Sequence, residues 1–260
     1  DLVQLDGSAV LDIRDNPNLI AMEDLAKADG YDLSQIMEAA RLSITYKQKM
    51  IAMPFNSSTI LLYYNKTAFD EVGITTPPRT LDDLAEVATK LKKTDDKGKV
   101  IRYGFANVPT TYELMVWLGQ QNGLSYLTDF ENGHTGNPTK VLFHENGTMV
   151  NFLTKWKALY ATGSLENLTS DLNGAFASGR VAMIVASTSN LTTIHSMVGD
   201  RFEVGVAPFP MVDEKATGGV NVGGGAIYAL NNGSHNESAA WEFVKFATSA
   251  KQQYAWHIAT

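Results

Sequence analysis

The chain has 260 residues, of which 44% are hydrophobic and 19% charged, an ordinary composition for a globular protein with a sizeable core. Its formal net charge is −7 and its 21 basic residues form no patch, which argues against nucleic acid or an anionic membrane surface as the main partner. There are no cysteines, so disulfides and thiolate metal sites are excluded.

The first predicted element is a strand over residues 1–5, which ends at Asp6, Gly7 and Ser8. Open α/β sheets bind ligands at the carboxyl ends of their strands, so Asp6 is a candidate binding residue. A solvated turn is the alternative. The chain closes on a helical pattern with no cap over residues 256–260. Because both ends look cut, we expect the chain to be a fragment of a longer protein.

A polar insert of four residues, 56–59 (NSST), interrupts the stretch 53–66 (MPFNSSTILLYYNK). Residues 60–64 are β-branched or aromatic without alternation, as in a strand covered on both faces. A buried strand does not normally tolerate such an insert. We therefore predict a strand that leaves one domain and enters another, with the insert facing the gap. An ordinary loop before a strand is the alternative.

Downstream, residues 175–189 predict a helix, a glycine stop, a buried strand and a second polar insert, followed by a helix from about Leu191. Thr80 is a predicted helix N-cap, with Asp82 and Asp83 in the first turn. The stiff residues 208–210 (PFP) suit a second crossing between domains.

The glycines of residues 218–228 would let backbone approach a ligand, although a flexible hairpin is equally compatible. A final helix over residues 238–257 is predicted to turn four apolar side chains inward: Trp241, Phe243, Val244 and Phe246. Strands alternate with helices along the chain, which predicts an α/β class with mainly parallel sheets.

Residues 53–69 and 175–189 resemble the extracellular solute-binding proteins (family 1) of ABC importers, most of all the branch that binds glycerol-3-phosphate and sugars. The resemblance implies an α/β, two-lobe, periplasmic-binding-protein-like (type II) fold with a cleft between the lobes and an incomplete first lobe. Residues 1–56 would form part of the first lobe and residues 57–208 the second. Residues 209–260 would return to the first.

The resemblance also implies the site. Ser58 and Ser187 match ligand-contacting serines, and Gly224 matches a backbone contact. Tyr112 falls where an aromatic residue lines the cleft, and Asp6 stands for a glutamate if an alignment gap is allowed. The function expected is an extracytoplasmic, non-enzymatic binding component that closes on its solute by hinge motion.

Its implied partners are a small carbohydrate or glycerol phosphate and a membrane permease, with no nucleic acid and no cofactor. A monomer is expected, located in the periplasm or held at the cell surface as a lipoprotein. The five histidines lack metal-ligand spacing, so no metal is expected. His134 and His144, which flank a loop, are the only pair considered as metal ligands.

A glycoside hydrolase is the enzyme alternative, because several carboxylates and aromatic residues are available for acid–base chemistry and sugar stacking. The candidate carboxylates are Asp6, Asp82, Asp83 and Glu113. Asp82 and Asp83 are already explained as helix-start residues, and nothing pairs the other two. A structural or adhesion protein is disfavoured because polar inserts at strand ends serve no packing purpose.

Overall fold

The computed structural model describes residues 1–108, 111–121, 127–217, 219–220 and 222–259. The strands in these residues are β1 (Leu2–Asp6), β2 (Leu19–Ile20), β3 (Thr45–Tyr46), β4 (Lys49–Met50), β5 (Met53–Ser58), β6 (Ile60–Asn65), β7 (Lys93–Thr94), β8 (Val100–Arg102), β9 (Phe105–Ala106), β10 (Leu165–Glu166), β11 (Met183–Ser187), β12 (Val204–Pro208) and β13 (Gly223–Leu230). The helices are α1 (Val10–Ile13), α2 (Met22–Asp29), α3 (Glu38–Ser43), α4 (Lys66–Glu71), α5 (Leu81–Leu91), α6 (Thr111–Gly119), α7 (Asp129–Gly133), α8 (Thr148–Ala161), α9 (Leu172–Ala177), α10 (Leu191–Val198), α11 (Glu237–Thr248) and α12 (Ala250–Ala259). No helix in the described ranges is both long enough and apolar enough to cross a membrane.

The chain divides into two compact units. Unit 1 consists of Asp1–Thr59, Thr128–Lys140 and Asn221–Thr260, and unit 2 consists of Ile60–Leu127 and Val141–Val220. The chain therefore passes from unit 1 to unit 2 directly after the polar insert, between β5 and β6. The lobe boundaries at residues 56 and 208 stay predictions.

Residues 208–210, the stiff segment suited to a second crossing between domains, have their contacts inside unit 2. Phe209 is buried, and its ring centroid lies 4.8 Å from that of Trp117. The Trp117 indole N–H also donates a hydrogen bond to the Pro210 carbonyl oxygen, 3.0 Å away. These contacts hold the segment in the aromatic core, so the compact unit extends to Val220.

In unit 1, β13 is the centre of a four-stranded sheet. β1 runs along one side of it, from Leu2 opposite Ala229 to Asp6 opposite Gly225. β5 and β2 share the other side, β5 along the first half of β13 and β2 at its end. Every pairing in this sheet is antiparallel.

The unit 2 sheet has the strand order β10-β9-β11-β6-β12. β9 is parallel to both of its neighbours, whereas β6 is antiparallel to β11 and β12. Leu62 and Tyr63 in β6 have no exposed surface, so the buried strand predicted there is confirmed.

The prediction of mainly parallel sheets is wrong. The unit 1 sheet is entirely antiparallel and the unit 2 sheet is mixed. The alternation of strands and helices predicts parallel pairing only when consecutive strands become neighbours. Here β13 pairs with strands that lie far away in the sequence, so local order does not determine their direction.

The N-cap predicted at Thr80 is confirmed. The Thr80 hydroxyl accepts the backbone N–H of Asp83 at 3.1 Å, and the Asp83 carboxylate accepts the backbone N–H of Thr80 at 3.1 Å. This reciprocal capping box starts α5, whose inner face buries Leu84, Ala88 and Leu91.

The terminal helical region differs from its prediction in two ways. It is two helices, separated at Ser249, where the backbone is extended. Trp241 and Val244 are buried as expected, but Phe243 and Phe246 are 55% and 60% exposed. Residues three apart share a helix face, whereas residues two apart lie about 200° around it, so one inner face does not hold all four side chains.

The turn of the β3–β4 hairpin offers a test of backbone strain. Lys47 and Gln48 have φ of 48° and 61°, the left-handed region of a two-residue type I′ turn, where glycine is strongly preferred at the second position. We expect Gln48→Gly to raise the free energy of unfolding by about 1 kcal/mol in urea titrations. Gln48→Ala, which keeps the Cβ, is the control, and equal stability of the two variants would contradict the strain argument.

Candidate ligand-binding site

Three of the five predicted site residues come together at one end of the unit 1 sheet. Asp6 ends β1 opposite Gly225, while Gly223 and Gly224 lie opposite Ser58 and Ser57 of β5. Asp6, Ser58 and Gly224 thus occupy neighbouring positions on three adjacent strands, although they are far apart in the sequence. Their role in binding stays a prediction.

Asp6 is an exposed carboxylate with a local structural task. Its Oδ1 accepts the backbone N–H of Ser8 at 2.9 Å and the Ser8 hydroxyl at 2.7 Å, which starts a short 3-10 turn over Gly7–Ala9. An ionised carboxylate has two oxygens with several acceptor positions, so these bonds leave acceptor capacity for another donor.

Two side-chain amides, of Gln4 and Asn56, lie at the same end of the unit 1 sheet. The Gln4 Nε2 donates to the Asn56 Oδ1 at 3.0 Å, and a Cβ placed on Gly225 would meet both groups. Gln4 and Asp6 are two residues apart in β1, and Asn56 and Ser58 are two apart in β5, so each pair shares one sheet face. Gln4 is absent from the predicted site, although its spacing from Asp6 is the signal that identifies it.

The backbone conformation of Gly224 and its close contact with β5 both require glycine at this position. Its φ is +100°, and a Cβ there would lie 2.4 Å from the Asn56 carbonyl oxygen and 3.0 Å from the Ser57 Cα. Close approach of the β5 backbone therefore requires glycine at this position. The predicted backbone contact with a ligand remains a separate expectation.

Tyr228 lies farther along β13 and is fully buried. Burial, and after it the negative charge of Asp6, raises the pKa of the Tyr228 hydroxyl to about 12, so the group is neutral at physiological pH. Its hydroxyl oxygen has no hydrogen-bond partner within the described residues.

Unit 2 contains the other two predicted residues, Ser187 and Tyr112. Ser187 ends β11 opposite Ile60, and its Oγ accepts the Ser189 backbone N–H at 3.2 Å and the Ser189 hydroxyl at 2.9 Å. The Ser187 hydroxyl still has its own proton to donate. Tyr112 is in the first turn of α6 and packs, partly buried, against the main apolar cluster of the unit.

The backbone at Ser187 is fixed from the sheet. The Tyr63 hydroxyl donates to the Ser187 carbonyl oxygen at 2.9 Å. Burial raises the pKa of Tyr63 to about 12, so the phenol keeps the proton that makes this hydrogen bond. A neutral donor from a fully buried side chain therefore positions the end of β11.

The carboxylates proposed for a hydrolase have structural partners. Asp83 completes the α5 capping box, Asp82 forms an ion pair with Lys155, and Asp6 starts the 3-10 turn.

His134, one of the two histidines considered for a metal, has a structural contact in unit 1. Its Nδ1 lies 2.8 Å from the Thr45 carbonyl oxygen. Within the described ranges, no three His, Asp or Glu side chains group as metal ligands.

Comparison with known proteins identifies the family. The whole chain, residues 1–260, matches the model of a family described as bacterial extracellular solute-binding protein. The chain belongs to this solute-binding family. This confirms the predicted solute-binding family and the extracytoplasmic location.

One curated relative is the sn-glycerol-3-phosphate-binding periplasmic protein UgpB of Escherichia coli K12. It is 26% identical over 217 residues, which cover 81% of this chain and 48% of that protein. The chain therefore spans about half the length of the curated relatives that it matches.

Solved structures of similar proteins share the fold. The sugar-binding protein MalE of Xanthomonas citri gives a TM-score of 0.81 at 18% identity, over 99% of this chain and 64% of that one. UgpB of Mycobacterium tuberculosis in complex with glycerophosphocholine gives a TM-score of 0.76 at 22% identity, over 97% of this chain and 61% of that one. The predicted α/β, two-lobe, periplasmic-binding-protein-like fold class is thereby confirmed.

Proposed function

We propose that this protein is the substrate-binding component of an ABC importer and takes up a sugar or a glycerol-3-phosphate-type solute. Binding of the solute is coupled to a hinge motion, which presents the liganded form to a membrane permease. Binding requires no cofactor, and the protein works as a monomer, in the periplasm or anchored at the cell surface by a lipid.

One observation carries the proposal. Chain segments that are far apart in the sequence supply polar groups at one end of the unit 1 sheet, and the chain then enters unit 2 after a single further residue, Thr59. The first strand of unit 2 begins at Ile60, opposite Ser187, the second predicted serine. Polar groups at strand ends are typical of ligand sites in α/β proteins.

The chemistry at these strand ends supports a solute rich in hydroxyl groups. Hydroxyls of Ser58 and Ser187 and amides of Gln4 and Asn56 both donate and accept hydrogen bonds, which suits a polyol or a sugar. UgpB proteins bind glycerol-3-phosphate or glycerophosphocholine and MalE is a sugar-binding protein. Both solute classes therefore belong in the test.

The experiment is a thermal unfolding screen of the purified protein against sn-glycerol-3-phosphate, glycerophosphocholine, maltose and acarbose. A solute at 100 times its Kd should stabilise the protein by about 2.7 kcal/mol by mass action. A rise in Tm with one of these classes, and no conversion of the solute, is the expected result. Turnover of the bound solute would instead favour the hydrolase, and no shift with any of them would contradict the proposal.

Mutation of the two serines tests the site itself. Ser58→Ala and Ser187→Ala should each weaken binding of the stabilising solute about five- to tenfold, because each removes a hydrogen bond worth about 1 kcal/mol. Isothermal titration measures the change, with circular dichroism to verify folding. Ser57→Ala, on the adjacent residue, is the matched control and should bind normally. Unchanged affinity in both site variants would remove the assignment.

A further inference from the structure

Asn107 lies at the same end of the unit 2 strands as Ser187. It directly follows β9, and Ala106 pairs in parallel with Ile184 of β11. Parallel strands end at a common edge, so Asn107 is level with Val185 and two positions short of Ser187. With about 3.3 Å of rise per residue and about 4.8 Å between strands, the two Cα atoms are roughly 8 Å apart.

The Asn107 carboxamide is buried and unsatisfied. The residue is 3% exposed, and in the described part of the chain neither Oδ1 nor Nδ2 has a hydrogen-bond partner. Buried polar groups in native proteins are paired in the large majority of cases, and an exception requires an explanation. A carboxamide with both of its N–H donors and its acceptor oxygen unused is a costly form of that exception.

Other buried amides among the described residues are satisfied. Asn65 is 6% exposed, and its Oδ1 accepts the backbone N–H of Ala68 at 2.8 Å at the start of α4. Gln121 is 1% exposed, and its Nε2 donates to the Thr148 carbonyl oxygen at 2.8 Å. The unpaired state is therefore specific to Asn107 among these three, and it occurs at a strand end beside a predicted site residue.

We propose that Asn107 is a solute-binding residue, and that its carboxamide pairs with a hydroxyl group of the solute. The inference rests on the proposed function. Hydroxyl groups both donate and accept, so neighbouring hydroxyls of a polyol satisfy Nδ2 and Oδ1 together. A fully ionised phosphate only accepts and would leave Oδ1 unpaired. Asn107 therefore recognises the polyol part of the solute, whether that solute is a sugar or a glycerol phosphate.

The test compares Asn107→Leu, which has nearly the same shape but no polar atoms, with Asn65→Leu as a matched buried control. Without solute, Asn107→Leu should raise Tm by roughly 2–6 °C, because it removes an unpaired buried amide. Asn65→Leu should lower Tm, because it removes a paired one. In titrations with the solute that stabilises the wild type, Asn107→Leu should raise Kd about tenfold or more.

Each outcome has a distinct meaning. A fall in Tm for Asn107→Leu would show that the amide is paired within the protein, which overturns the inference. Normal affinity of that variant, with a wild type that binds, would overturn the inference and leave the proposed function intact. A wild type that binds none of the probes overturns the proposed function and this inference with it. If Asn107→Leu expresses poorly, Asn107→Ser supplies the same affinity comparison.

Discussion

Replacing Gly224 with alanine should lower the free energy of unfolding by about 3 kcal/mol or more. A φ of +100° costs a non-glycine residue about 1–2 kcal/mol, and the added Cβ lies 2.4 Å from a backbone oxygen of β5. The contact is with main chain, which does not rotate away as a side chain would. Urea titration followed by circular dichroism measures the loss.

The same substitution should also affect binding, because relief of the clash moves the end of β5, which includes Ser58. Gly219→Ala is the control: a Cβ at Gly219 meets no heavy atom within 4 Å, so its stability should change by less than about 0.5 kcal/mol. Similar stability of the two variants would show that β5 does not constrain Gly224 as described.

Trp117→Ala should be comparably severe, at about 3–5 kcal/mol. Trp117 is 1% exposed, and its ring centroid lies 5.4 Å from those of Phe152 and Trp156 and 4.8 Å from that of Phe209. Truncation leaves a large cavity among these rings and removes the hydrogen bond to the Pro210 carbonyl oxygen. Loss of near-ultraviolet circular dichroism together with a lower urea midpoint is the expected signature.

Two further variants give this experiment its comparison. Trp117→Phe keeps an aromatic ring but loses the indole N–H, so a smaller loss separates packing from hydrogen bonding. Trp256→Ala removes a tryptophan that is 48% exposed and should cost less than half as much as Trp117→Ala. An equal loss at both positions would contradict the argument that Trp117 is the more tightly packed of the two.

Much of the fold can be predicted from local pattern. The uninterrupted apolar runs identify β6 and β11, and Thr80 with Asp83 identifies the start of α5. These features depend on neighbouring residues, so the sequence displays them. Strand direction does not depend on neighbouring residues. β13 pairs with β1, β2 and β5, and each of these strands precedes it by more than 150 residues.

The candidate site also contains some residues that the sequence reveals and others that only the folded chain reveals. Residues in a family motif, such as Ser58 and Ser187, can be found by resemblance, whereas the hydrogen bond of Gln4 to Asn56 is visible only in the folded chain. Asn107 is recognisable only when burial and the absence of partners in the described residues are known. Burial and strand register are properties of the folded chain, and single residue types do not encode them.

The central position of β13 also bears on how the protein is made. β1, β2 and β5 all pair with β13 in the main sheet of unit 1, and β13 begins at Gly223, after the last residue of unit 2. During translation, the ribosome therefore releases all of unit 2 before the three earlier strands have their common partner. Unit 1 therefore completes its sheet late. Until then β1, β2 and β5 lack their common partner strand, so we expect these strands to be the segments of the nascent chain that a chaperone protects.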